Sequence, residues 1–542
     1  MSYKTYSQYS KKKTPQSEPI PGSDQVENDA GGYVYPLDDW KRLDRFLILG
    51  TEGGTYYVGE TRFTFENAEA VIRCIKADGA RVVDRVVAIS DAGRAPKNDP
   101  ALFVLALCAS LGDVETRRAA LGALPQVARI GTHLFHFLEF CKGLRGWGRS
   151  LRTAVADWYN QKPVEKLAYQ AIKYQKRDGW SHRDALRKAH PIPPTPQHKA
   201  LYHWITQSKL TEEIPSLVAA FHHLQNAESV REVVQLIGEH KLPRETVPTK
   251  FLTEAKVWEA LLPEMGLTAL LRNLGNMSAY GLLVPGNWEV IDQVLARLSN
   301  REEIQRARIH PIHVVLAYLT YRQGEGFRGK NRWEPVPQVV DALDAMVYQA
   351  FDFVEPTHQA YYLGVDVSGS MRSGLSGLPL MTCAQGAAVM AMTIARTESK
   401  HIIKGFTSTE GYRSGTNLMS DLQITANTTL AEAFSEVYQN NFGRTDCALP
   451  VLDALKRQIN VDVFVVITDS ETWAGEIHPS QALQEYRARF NPKAKMIVIG
   501  MTSNGFTIAD PSDPLSLDVV GFDTSTPSII AEFCREEFEK QS

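Results

Sequence analysis

The sequence predicts a multidomain protein in which an all-α array of stacked helix pairs is followed by an α/β domain built on a doubly wound, mostly parallel sheet. Three observations point there. A chain of 542 residues with 44% apolar content is long enough for more than one core. From about Leu37 to Ala350, apolar residues recur at three- and four-residue spacing, the period of amphipathic helices. At Tyr361 the pattern changes abruptly to short apolar runs that alternate with helical stretches.

The helical part shows its period most clearly over Ala101–Leu111, Val230–Ile237 and Val257–Leu262. Breakers at Pro125, Pro191 to Pro196, Pro243, Pro285-Gly286 and Pro311 separate such segments. No repeat consensus stands out, so the solenoid reading rests on helix density and spacing. In the second part, strands are predicted at Tyr361–Val367, His401–Phe406, Val461–Thr468, Met496–Met501 and Leu517–Phe522. Helices are predicted near Leu380–Ala395, Ala448–Gln458, Gln481–Phe490 and Ser528–Glu539. In such a Rossmann-like order, ligands sit at the carboxyl ends of the strands. The expected division is a flexible polar tail over 1–35, which includes Lys11 to Lys13, a helical module over 36–358 and an α/β domain over 359–542.

Residues 1–35 lack the apolar stretch of a signal peptide, and no apolar run is long enough to cross a bilayer. Cys74, Cys108, Cys141, Cys383, Cys447 and Cys534 have no paired spacing, which argues against a disulfide framework and a zinc site. A soluble, cytoplasmic protein with reduced thiols is expected, and the sequon at Asn427 is read as meaningless.

Charge is unevenly placed. The formal net charge is −3, yet residues 361–542 hold 14 Lys+Arg against 21 Asp+Glu, which leaves the rest at +4. Residues 142–199 carry 13 Lys+Arg against Asp157, Glu165, Asp178 and Asp184, a net of +9. Trp147, Trp158, Tyr159, Tyr169, Tyr174, Trp180 and three histidines are interleaved with them. Cations for phosphates and rings for unpaired bases are what RNA recognition requires. A single charged helix is more often a solvated surface, but the concentrated excess outweighs that reading. Trp158 is expected in the core. A helix over Val164–Lys176 would place Lys166, Lys173 and Lys176 or Arg177 on one side.

The loop after the first predicted strand reads Asp366-Val367-Ser368-Gly369-Ser370, and Val461–Thr468 delivers Asp469 to the same edge. Gly443-Arg444-Thr445-Asp446 offers a further hydroxyl before a helix. Two carboxylates and three hydroxyls, from Asp366, Ser368, Ser370, Thr445 and Asp469, form a hard oxygen set suited to a divalent cation, above all Mg2+. With no second metal set and no general-base histidine beside these carboxylates, the chain is not expected to be an enzyme.

D-x-S-x-S at 366–370, Thr445 and Asp469 resemble the metal-ion-dependent adhesion site (MIDAS) of von Willebrand A domains. Gly146-Trp147-Gly148-Arg149-Ser150-Leu151-Arg152, Ala156-Asp157-Trp158-Tyr159-Asn160 and Gly179-Trp180-Ser181-His182-Arg183-Asp184 resemble the TROVE module of Ro autoantigens. The likeness continues in Leu242-Pro243-Arg244-Glu245, Leu271-Arg272-Asn273-Leu274-Gly275 and Ile309-His310-Pro311, and runs from about residue 38 to the end. Short spacer loops and the complete adhesion set resemble bacterial members. The resemblance implies a ring of HEAT-like helical repeats closed by the A-type domain. It also implies binding of Y RNA on a basic outer surface and of single-stranded 3′ ends of misfolded noncoding or ribosomal RNA in the central hole. Carried over, it nominates Lys173, Arg177 and His182, with Arg149 and Arg152 beside them, and Lys176 and Arg183 complete the candidate set. A role in RNA quality control, maturation or decay follows, with a 3′ exoribonuclease tethered through RNA, and a closed ring favours a monomer. The alternative from the residues themselves is a magnesium-dependent protein-interaction scaffold, which would need no basic patch.

Overall fold

The computed structural model describes residues 13–49, 60–326, 330–351, 354–375, 378–407, 419–439, 443–502 and 504–535. They fall into two compact units, one drawn from residues 1–71 and 351–542, the other from 72–350.

In the first unit a six-stranded sheet runs in the order Ser516–Val520, Lys495–Gly500, Val463–Thr468, Tyr361–Asp366, His401–Phe406, Met419–Asp421. All five predicted strands are present and pair in parallel, and Met419–Asp421 adds an unpredicted antiparallel edge. Every residue of Tyr361–Asp366, Val463–Thr468 and Lys495–Gly500 is buried. Strands covered on both faces become continuous apolar runs such as Val-Phe-Val-Val-Ile rather than alternating ones. The helix Cys383–Thr397 is likewise apolar nearly all round, and a capping box starts it: Thr382 accepts the Gln385 N–H while Gln385 accepts the Thr382 N–H. In the parallel register Ile467 lies beside Val365, so Asp366 and Asp469 emerge from neighbouring strand ends.

The expected flexible tail is corrected from residue 13 onward; residues 1–12 lie outside the described residues. Tyr33–Pro36 pairs with Val26–Glu27 on one side and with Phe506–Thr507 on the other. Gln16 is fully buried, and Ile20, Val34 and Tyr35 are nearly so. The segment lacks helical or strand periodicity of its own, which is why composition alone made it a tail; its order comes from backbone pairing with a loop nearly five hundred residues away. The helix Asp39–Leu49, assigned above to the helical module, also belongs to this unit and packs on Ser516–Val520. Its Arg45, 1% exposed, forms a bidentate pair with Asp518 at 2.8 and 3.0 Å and donates to Asn504 Oδ1 at 2.6 Å.

The second unit is all helical apart from short pairings, and the predicted segments appear as Asp99–Leu111, Val230–His240 and Ala255–Leu261. Successive helices pack on near neighbours, as in a repeat array. The array returns to its start: Arg308 binds the Asp91 carboxylate at 2.6 Å, and His310 Nε2 meets the Arg94 carbonyl at 3.2 Å. His310 also caps the helix Pro311–Arg322, accepting from the Ile312 N–H, which gives the His-Pro pair two structural tasks. All six cysteines are free and buried.

Removing the guanidinium of Arg45 strands a buried carboxylate and an amide. Arg45→Ala is expected to cost the first unit about 3–5 kcal/mol, read from its transition in urea denaturation.

Candidate nucleic-acid interface and metal centre

The basic segment does not form one long helix. Val164–Lys173 ends at Tyr174, and Lys176–Arg177 instead pairs with Trp180–Ser181 as a two-residue hairpin. Asp178 and Gly179 turn it with positive φ of 49° and 77°, the conformation an Asp-Gly turn favours. The expectation that Lys166, Lys173 and Lys176 or Arg177 share a helical side is therefore overturned. The overlooked signal was the Asp-Gly pair between short alternating runs. The hairpin instead lifts Lys176 and Arg177 into solvent.

Arg149, Arg152 and Arg183 are also exposed. The helices that carry them, Arg149–Asn160 and His182–Ala189, pack on one another, and the hairpin rests on Gly131–Leu144. Lys173 is half-buried, donating to the Tyr169 hydroxyl at 3.2 Å with its ammonium over the Tyr169 and Tyr174 rings. It lines a cleft of about 860 Å³ whose walls include Lys166 and Tyr169 on one side and Lys241, Arg244 and Glu245 on the other. Lys241 and Arg244 were not among the sequence candidates, because they lie beyond the basic stretch and only folding brings them to Lys173.

His182 departs from the surface role the resemblance implied. It is 3% exposed, its Nδ1 bonds to the Tyr159 hydroxyl at 2.8 Å, and Phe135, Trp158 and Tyr159 surround its ring. Its Nε2 is buried without a hydrogen-bond partner. Burial pushes its pKa down to about 4. Position N1 of the capped helix Ser181 begins points the ring inward, and sequence alone carried no sign of that. Trp158, Tyr159 and Trp180 are buried, leaving Trp147, Tyr169 and Tyr174 half-buried. Lys162 lies 3.6 Å above the Trp158 ring, and burial pulls its ammonium down to about 8.

The oxygen donors converge at the sheet's carboxyl edge. Asp366 accepts the Ser368 N–H at 2.9 Å and the Thr468 hydroxyl at 2.6 Å, and the Ser368 and Ser370 hydroxyls are 3.1 Å apart. The Gly369 N–H reaches the Gly443 carbonyl at 3.3 Å, joining the Thr445 loop to this turn, and the Thr445 carbonyl accepts from Trp473 and Ala474 at 3.1 Å each. Asp366, Ser368, Ser370, Thr445 and Asp469 are all at most 1% exposed. Burial raises the pKa of Asp366; burial and then the Asp366 charge raise Asp469 to about 7. Asp469 Oδ2 has no hydrogen-bond partner. Buried like charges with an orphaned oxygen are what a divalent cation would neutralise, so the residues fit one. Among the described residues no group of three or more His, Cys, Asp or Glu is placed to hold a metal, so this donor set depends on its hydroxyls. Glu471, also buried, was missed: burial and then the Asp469 charge push it up to about 9.

A TROVE domain model matches residues 26–319, and a Ro60 vWA domain model matches 360–534. The chain belongs to the Ro family. It is 42% identical over 518 residues to the RNA-binding protein RO60 of Deinococcus radiodurans, covering 95% of this chain and 96% of that one. The Caenorhabditis elegans RNA-binding protein RO60 is 35% identical over 590 residues, covering 94% and 90%. The crystal structure of the Deinococcus radiodurans RO (RSR) protein matches with a TM-score of 0.70 at 40% identity, covering 92% of this chain and 99% of that one. Within this Ro chain, Asp366, Ser368, Ser370 and Asp469 are brought together, and the Thr445 loop is joined to their turn through the Gly443 carbonyl. Of the seven RNA candidates, five are exposed, Lys173 lines a cleft and His182 is in the core.

A buried neutral histidine makes stability depend on pH. The unfolded chain takes up the proton near pH 6.5, the folded one only near 4, so stability present above pH 6.5 is lost as pH falls. At pH 5 the deficit from His182 is about 2 kcal/mol. The His182→Gln variant should therefore lose less stability between pH 7 and 5 than the unmodified chain, measured by urea denaturation.

Proposed function

We propose that this chain binds small structured noncoding RNA, of the Y RNA kind, through Arg149, Arg152, Lys173, Lys176, Arg177 and Arg183, and thereby acts in RNA quality control, maturation or decay. One observation carries the reading: two packed helices and a protruding hairpin hold Arg149, Arg152, Arg183, Lys176 and Arg177 in solvent, while Lys173 lines a separate cleft with Lys241 and Arg244 among several glutamates. Phosphates need exposed, spatially spread cations, and a capped hairpin supplies them in a fixed arrangement. Relatives named as RNA-binding proteins, matched over nearly their whole length, support it. Single-stranded 3′ ends of misfolded or immature RNA are the second class of ligand, and a 3′ exoribonuclease tethered through RNA the expected protein partner. Six buried free thiols suit a reducing, cytoplasmic setting, with the chain acting as a monomer. The protein selects and presents RNA rather than cutting it.

The A-type unit in this reading holds Mg2+ through Asp366, Ser368, Ser370, Thr445 and Asp469. The cation would supply a hard electrophilic position able to take a carboxylate oxygen from a partner. The buried, orphaned Asp469 Oδ2 favours that use and keeps a magnesium-dependent scaffold as the second reading.

The two readings separate by salt. RNA affinity should fall roughly 10³-fold between 50 and 200 mM salt. Arg177→Ala combined with Lys176→Ala should weaken binding of all structured RNAs and flatten the salt slope by about 2. Titration of a labelled small hairpin RNA checks both, and salt-independent or unchanged binding would leave only the scaffold. For the metal, Mg2+ at 100 times its Kd should stabilise the chain by about 2.7 kcal/mol, and Asp469→Ala should abolish the effect in thermal unfolding.

A further inference from the structure

The N-terminal segment grips the loop that carries Asp469 from two directions. Asn28, 5% exposed, donates its amide to the Ser470 carbonyl at 3.3 Å and the Thr472 carbonyl at 2.8 Å. The Ala30 N–H reaches Glu471 Oε2 at 3.2 Å. Gly32 lies so close to the same loop that an added Cβ would stand 1.9 Å from the Thr472 carbonyl oxygen, so only glycine permits the approach. Gln16 donates to Asp446 Oδ1 at 2.7 Å and the Ile477 carbonyl at 2.8 Å while accepting the Thr472 hydroxyl. One buried amide thus joins the loop of Thr445 to the loop of Asp469. From the other side Arg45 holds Asn504, and Asn504 Nδ2 donates to the Asp469 carbonyl.

These contacts fall on a strained stretch. Ser470 has φ of 63°, a left-handed conformation that costs a non-glycine residue about 1–3 kcal/mol and persists only where its surroundings impose it. Its carbonyl is one of the two that Asn28 holds. A cation that demands near-ideal octahedral geometry is sensitive to where such a loop points its ligand.

We propose that residues 14–45 form a positioning clamp for the cation site, in which Asn28, Gln16 and Arg45 act through the 469–472 loop to set cation affinity. The proposal rests on the metal reading above. Linkage makes it reciprocal: whatever affinity the docked clamp adds for the cation, the bound cation adds to docking of the clamp.

The test uses the full chain and Mn2+ as the probe. Mn2+ binding is followed by electron paramagnetic resonance in the unmodified chain and in Asn28→Ala, Gly32→Ala and Asp469→Ala. Loss of an outer partner should weaken Mn2+ binding about 10- to 100-fold in the first two variants. Amide hydrogen exchange over residues 14–32 should also slow when Mn2+ is added to the unmodified chain, and not in Asp469→Ala. A purely structural strap would lower metal-free stability and leave Mn2+ affinity unmoved. If the unmodified chain binds no Mn2+, the metal reading falls and the clamp with it. If it binds, but Asn28→Ala and Gly32→Ala bind equally and exchange over 14–32 does not change, the clamp alone is overturned. Should the variants fail to fold, exchange in the unmodified chain decides.

Discussion

Two carboxylates buried at the ends of neighbouring parallel strands set the terms for the A-type unit. Asp366 and Asp469 are held without exposure, and desolvation raises both above the usual carboxylate range. Such a pair is tolerable only where hydroxyls, backbone donors or a cation answer it. Ser368, Ser370 and Thr468 supply the first, the turn at 366–368 the second, and the orphaned Asp469 oxygen leaves a place for the third. The rest of the unit reads as support for that edge: strands buried on both faces to aim the loops, and an N-terminal segment to hold them.

The helical unit solves a different problem, which is to expose many cations while keeping a core. It buries the rings and projects the charges. Trp158, Tyr159, Phe135 and His182 fill the space between helices, and burial keeps His182 neutral where a phosphate contact would want it charged. The cations stand on helix ends and on a hairpin whose Asp-Gly turn fixes their direction. Residues adjacent in sequence can thus serve opposite purposes: Ser181 caps, His182 packs and Arg183 faces solvent.

Both domain types, the five parallel strands, the oxygen donors and the charge excess of residues 142–199 were legible in the chain. Each is local: a strand buried on two faces must be apolar throughout, a turn at a strand end must be built from small polar residues, and a net charge is a count. What stayed illegible was set by long-range partners. Residues 13–36 look like a tail because their order comes from pairing with Phe506–Thr507 and from amides received by a distant loop. Lys241 and Arg244 join Lys173 only across a cleft between helices, and Glu471 looks like an ordinary surface acid until the loop turns it inward.

The sequence by itself therefore determined the two architectures, the oxygen-bearing turn at the strand ends and the positive charge of residues 142–199, since period, turn chemistry and charge are properties of short stretches. Tertiary structure decided which of the basic segment's residues reach solvent, that His182 belongs to the core, and that residues 13–36 pair with the far end of the chain. Burial and hydrogen-bond partnership depend on what packs opposite a residue, and no stretch of sequence carries its own opposite face.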